Sequence, residues 1–333
     1  MLRAVAALAA IIACTAMAAT GAAAPAGLSI DATPIMRFKA GSAETRFGML
    51  EFRGGFSFRA SDRRLQGVSS LRFTDRQGSR FLAVTDTGFW FEGAILRGPD
   101  GVPTGIGDAR IAPILDAQGR PQPAKGDADA EGLAIGQDAI LVAFERDHRV
   151  AVYDAQAPLT SPEGERLDIR IPLRELRRNA GLETIAIAPP DSRLAGAPVI
   201  VSEQSLDGKG DLFAAVLGPK GGIFTVAREA PWHVTDGAFL PDGDLVLLER
   251  RYEGLGRIGM RLRRIDGRTI AVGARVDGPV IMEADGRYEI DNMEALDIVR
   301  DAAGATILAI ASDDNGSFFQ RNLYLEFRLI DAP

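Results

Sequence analysis

An all-β fold, a β-propeller of five blades, is what this sequence predicts, and three observations carry the prediction. One pattern recurs five times, each unit consists of short apolar runs divided by Gly, Asp and Pro, and helical periodicity is almost missing. The units begin at Gln66-Gly67-Val68, Glu131-Gly132-Leu133, Glu183-Thr184-Ile185, Asp236-Gly237-Ala238 and Glu294-Ala295-Leu296, at intervals of 65, 52, 53 and 58 residues. Four short strands in a unit of about 50 residues is a propeller blade. Sandwich domains are longer and carry no such phase-locked repeat.

In chain order, each unit opens on an apolar strand and continues into a second one that ends in acid. The second strands are FLAVTD to Asp86, AILVAFE to Glu145, PVIVSE to Glu203, LVLLE to Glu249 and TILAIASD to Asp313. Third and fourth strands follow as RVAVYD and LDIRIPL, DLFAAVL and GIFTVAR, and MRLRRID and PVIMEA. IPLRELRRNAG is the one stretch suited to a helical turn or two. The last unit keeps a third strand, NLYLEFRLI, but the chain stops before a fourth. RFGMLEFRGGFSFRA lies ahead of the first unit without a partner, so it is expected to close the ring by completing the last blade. The count becomes six if the 65-residue interval or the N-terminal stretch hides a degenerate blade. The domain expected is a single propeller over 46–331, preceded by a linker over 25–45.

The first 20 residues, MLRAVAALAAIIACTAMAAT, carry one Arg, an unbroken small apolar run and alanine-rich cleavage candidates. They read as a secretory signal peptide over about 1–24, which implies a periplasmic or secreted protein with no transmembrane helix in the mature chain. Lipid anchoring at Cys14 is the lesser alternative. Cys14 is the one cysteine, so a cleaved chain has none, and disulfides, thiol nucleophiles and Cys-bound zinc drop out. Two histidines, His148 and His233, are too few for a His-rich metal site. G-x-S-x-G and the P-loop are absent from the chain. A net charge of −7 argues against a nucleic-acid partner. A monomer acting on a small-molecule ester or anionic ligand is the expectation, and any metal should be a hard cation, Ca2+ or Mg2+, held by oxygen.

The start of a first strand and the end of a second lie at one rim of a blade. Glu131 is therefore set beside Glu145, Glu183 beside Glu203, Asp236 beside Glu249 and Glu294 beside Asp313, with Asp86 from the first blade. Nine carboxylates are thus expected around one channel mouth. Such crowding raises pKa values and destabilises the fold unless something compensates. A cation bound by several blades is one solution, and Arg146, Arg250, Arg251 and Arg321 beside the acids are another. A third reading is that each acid only accepts backbone N–H groups at a strand end. Asp313, Asp314 and Asn315 in ASDDNGS put three oxygen ligands in one turn. The Arg pair in RRYEG, and His233 through Trp232, could take an anionic substrate.

QGVSSLRF followed by FLAVTDTG, then DAEGLAI, LETIAIAP and NMEALDIV followed by IASDDN, resemble the phytase-like group of bacterial secreted propellers, described as having "esterase-like activity of phytase". The resemblance spans about residues 46–328. It implies kinship to calcium-dependent phosphohydrolases, with Asp86, Glu131, Glu183, Glu294 and the Asp313-Asp314-Asn315 turn in the site. The D-D-P-A signature of the well-described β-propeller phytases is absent, so the resemblance implies the group rather than a substrate. On this footing Glu131 and Glu294 are the candidate bases toward water. Arg250 or Arg251 would offset charge on the leaving group. A propeller that binds a ligand at the same mouth without turning it over is the alternative.

Overall fold

The computed structural model describes residues 24–122, 125–254 and 257–330. Five β-sheets follow one another around a central channel. Their first strands are Val68–Phe73, Ala130–Ile135, Leu182–Ile187, His233–Phe239 and Asn292–Arg300. Each pairs antiparallel with the next strand of its own sheet, namely Arg80–Thr85, Ala139–Phe144, Pro198–Leu206, Leu245–Tyr252 and Thr306–Asp313. That is the predicted five-bladed propeller. Among the described residues helix is confined to one short α-turn, Lys125–Ala128, and three 3-10 turns; one of these, Leu173–Glu175, falls in IPLRELRRNAG.

The strands are apolar on consecutive residues because both faces of a blade are covered. In blade 4, Leu245 and Leu247 pack toward blade 3 while Val246 and Leu248 pack toward blade 5. Five such inter-blade layers hold the ring, and each draws its side chains from two neighbouring sheets. Toward the axis the first strands approach closely. A Cβ on Gly132 would stand 2.8 Å from the carbonyl oxygen of Glu183 in the next blade, so only glycine fits there.

The ring closes as the sequence predicts. Leu50–Ala60 pairs antiparallel with Asn322–Leu329 and becomes the fourth strand of blade 5. The expected linker over 25–45 is not one. Ile30–Ile35 adds a further strand to Leu50–Ala60, and Ala26–Gly27 pairs with Pro103–Pro113 at the edge of blade 1. Phe38 is fully buried among Phe47, Phe52, Tyr288 and Phe327. The N-terminal segment therefore laces blade 5 to blade 1. The predicted signal peptide falls on residues outside those described.

Candidate metal centre at the channel mouth

Every first strand carries a bulge near its start, and the bulges set the site. Register shifts fall between Val68 and Ser70, Ala130 and Gly132, Leu182 and Thr184, Val234 and Asp236, and Met293 and Ala295. The extra, unpaired residue is thus Ser69, Glu131, Glu183, Thr235 or Glu294. A bulge re-aims one side chain without ending the strand. Ser69, Glu131, Glu183 and Glu294 line a cavity of about 240 Å3 at the mouth. Thr235 instead turns its hydroxyl to the carbonyl oxygen of Met293, at 3.0 Å.

The second strands contribute a matching position. Asp86, Glu145 and Glu203 stand opposite Gly67, Asp129 and Gly181, whose carbonyls accept their backbone N–H groups. Asp313 stands opposite Asn292. In blade 4 the residue in this position, opposite His233, is Arg250. A Cβ on Gly67, which has φ of 69°, would overlap the Asp86 carboxylate, so glycine there admits the acid.

Seven carboxylates line the cavity: Asp86, Glu131, Glu145, Glu183, Glu203, Glu294 and Asp313. Two groups of three converge enough to share an ion, Asp129 with Glu131 and Glu145, and Glu145 with Glu183 and Glu203, each set having oxygen atoms within 4.8 Å of one another. Glu145 belongs to both. Backbone bonding, the third reading, holds for one oxygen each of Glu145 and Asp313. They accept N–H groups of the following blade, from Gly181 and Gly67 respectively, both at 2.8 Å. Arg250 reaches into the ring, bonding Glu294 and Asn292 and lying 3.7 Å from Glu203.

Burial with little counter-charge pushes the carboxyl groups up. Desolvation, then the neighbouring acids, holds Glu131 and Glu183 well above the usual range. Burial brings Glu145 to about 7 against the opposing hydrogen bond from Gly181. Glu294 reaches about 8 through burial, although Arg250 pulls it down, and burial takes Asp313 to about 7.

Two of the nine expected rim acids are placed elsewhere. Asp236 follows the bulge by one residue, and one residue along a strand reverses the side chain's direction. It is fully buried and engaged by Arg72, with 2.8 Å contacts on both oxygens. Glu249 falls one residue short of the mouth for the same reason. It lies 2 % exposed between Arg261 and Arg263, at 2.5 and 2.6 Å. Gln66 precedes the blade 1 bulge by three residues.

The remaining candidates scatter around the rim. Arg146 is held by Asp129 at 2.6 Å, and Arg321 by Glu289 at 2.8 Å. Asp314 closes its own turn, accepting from Gly316 N and Asn322 Nδ2, while Asn315 lines the cavity. The His233 ring meets Glu203 at 3.2 Å and Gln204 at 3.1 Å. Arg251 stacks on Trp232 with its guanidinium 4.8 Å from the ring centroid. Sequence reasoning missed Asp129, Asn179, Gln204, Asn292 and Ser69. Asp129 gains its place only through its pairing with Glu145, and the neutral side chains carry no signal of their own.

Residues 63–316 match the profile of a family described as "Phytase-like: Esterase-like activity of phytase". Among curated proteins no relative matches the chain. The PQQ-bound aldose sugar dehydrogenase of Streptomyces coelicolor is similar in structure, at 14% identity and a TM-score of 0.41, over 90% of this chain and 98% of that one. An alpha-L-arabinanase of Cellvibrio cellulosa, complexed with arabinohexaose, is similar over 78% of this chain and 91% of that one, at 11% identity and a TM-score of 0.43. With its repeats, its blades and three quarters of its length inside one profile, the chain belongs to the phytase-like family.

Proposed function

We propose that the protein is a hydrolase of phosphate or carboxylic esters that depends on Ca2+ or Mg2+ held at the channel mouth, and that it works outside the cytoplasm. One observation carries the reading: seven carboxylates face one small cavity and two oxygen triads share Glu145. The donor set is all oxygen, which suits a hard cation. The elevated carboxyl pKa values mark a negative field that the protein's own cations leave uncompensated. Asp129, Glu131, Glu145, Glu183 and Glu203 would hold the ion or ions. A cation there would polarise the ester oxygen and acidify a water. The leader peptide read in the first residues supports the location.

Glu294 stands outside both triads, and its Oε1 is fixed by Arg250 and Asn292. Burial holds its carboxyl at about 8 in the metal-free site, and a cation beside it would draw that down toward the deprotonated form that accepts a proton. As the water oxygen bonds to phosphorus or to the acyl carbon, its proton passes to Glu294. The same carboxyl then returns the proton to the departing alcohol oxygen. Arg250 offsets negative charge on the reacting ester. Glu131, the other candidate base, lies inside a triad and is better assigned to holding the ion.

A panel of phosphomonoesters and carboxylesters, with Ca2+, Mg2+ or a chelator, tests this. Glu294→Gln should lower turnover by about 10² to 10⁴ while calcium still stabilises the variant. Glu131→Gln and Glu145→Gln should lose both turnover and part of the stabilisation. Calcium binding without turnover of any ester would make the mouth a binding site rather than a catalytic one.

A further inference from the structure

Beside the acidic mouth lies a second, larger cavity of about 720 Å3, and the two share Arg250 and Asn315. Its walls are two segments that rise past the mouth. On one side the second strand of blade 4 continues two residues beyond Arg250, to Tyr252 paired with Ile258. On the other, the connection from Asp313 to Asn322 in blade 5 carries Phe318 and Phe319. Tyr252 is 72% exposed and Phe319 92%, although both line the cavity. Large aromatic side chains held in water around a concavity mark a ligand surface.

The rest of the lining is polar, with Arg250 and Arg251 against one acid, Asp291. Arg251 is held against Trp232, which Arg261 flanks at 4.7 Å, and Gly259 leaves it room: a Cβ there would meet Arg251 Nε at 2.7 Å and the indole at 3.2 Å. Its nearest acid, Glu283, lies 3.8 Å away and is half exposed. A guanidinium so fixed keeps donors free for a ligand's oxygen atoms.

We propose that this cavity selects the substrate: it takes the planar aromatic group of an aryl ester between Tyr252, Ile258 and Phe319, with Arg250 and Arg251 directing the ester group to the mouth. The proposal rests on the hydrolase reading for its reaction and on the cavity alone for its ligand class. A compact, highly charged ester would leave these apolar walls wet.

The test compares kcat/KM for 1-naphthyl and methyl esters of one acid in the wild type and in Tyr252→Ala, Phe319→Ala and Phe318→Ala. Comparing the naphthyl-to-methyl ratio between proteins cancels the intrinsic reactivity of the two esters. Tyr252→Ala and Phe319→Ala should each lower that ratio about tenfold, mainly through KM. Phe318, which does not line the cavity, should leave it unchanged. Turnover with one ratio in all four proteins would overturn the inference and leave the hydrolase reading standing. If no ester is turned over, that reading fails and 1-naphthylphosphonate binding by calorimetry decides the inference. Binding weakened about tenfold in Tyr252→Ala and Phe319→Ala upholds it, and no binding to the wild type overturns it.

Discussion

Arg72 and Asp236 stand on the inner strands of blades 1 and 4, the two whose bulged residue is not an acid, and this level of the channel treats charge differently from the mouth. One level in from the bulges, the Arg72 guanidinium meets the Asp236 carboxylate directly and is also attracted by Asp297. Arg72 bonds both oxygens of Asp236 and the carbonyls of Leu71, Ile185, Gly237 and Leu296. Asp236 further accepts from Ser70 Oγ and from the N–H groups of Gly237 and Leu296. Four of the five blades are tied to one ion pair. At the mouth, seven carboxylates face Arg250. The deep pair ties the blades together, and the mouth keeps a surplus of negative charge.

The contrast is broken most directly by removing one partner of the deep pair. Asp236→Ala leaves Arg72 charged and buried, and should lower stability to denaturant by about 3–5 kcal/mol. Glu145→Gln at the mouth should leave metal-free stability equal or higher, since it removes a like charge from a crowded set. Equal losses in both variants would erase the distinction.

Next in size is the effect of a cation. Calcium at a hundredfold excess over its Kd should stabilise the wild type by about 2.7 kcal/mol, seen as a rise of several degrees in Tm that a chelator reverses. Glu145→Gln should lose most of this rise because it removes the carboxylate common to both triads.

A pH profile tests the crowding at the mouth. The carboxyls of Glu145, Asp313 and Glu294 sit at about 7, 7 and 8 in the folded chain, above their ordinary values of 4.5, 3.8 and 4.5. Groups raised on folding contribute stability below their unfolded pKa and lose it as pH rises through the folded value. In chelator, Tm should therefore fall between about pH 4.5 and 8. Calcium should flatten that fall, and a flat profile in both conditions would remove the electrostatic account. Smallest is Arg250→Gln, which should tighten calcium binding a few-fold by removing a positive charge from the ring. Weaker binding would show that Arg250 orders the acids rather than opposing the ion.

The blades were legible because a packed sheet writes itself into sequence at fixed spacing, and FLAVT, ILVAF and LVLLE are apolar wherever both faces are covered. The rim was legible only to within a residue. Matching units by their acids puts Asp236 level with Glu131, whereas matching by hydrogen-bond register puts Thr235 there and Arg250 level with Glu145. A bulge inserts a residue without a composition of its own, so no count of two carries through it. Asp129 escaped because its position follows from pairing with Glu145, not from any run of its own. The lacing segment Ile30–Ile35 was unreadable for a plainer reason: IDATPI is polar at alternate places and holds a proline, which suits only an edge.

Closing the ring with Leu50–Ala60 also orders events in time. That strand leaves the ribosome about 260 residues ahead of its partner, Asn322–Leu329. At ordinary rates of synthesis the interval is roughly 15–50 s, and through it Phe52, Phe56 and Phe58 have only the Ile30–Ile35 strand beside them and lack the rest of blade 5. A chaperone that shields extended aromatic segments has its natural client here, and a chain truncated before residue 322 would expose this strand for as long as it lasts.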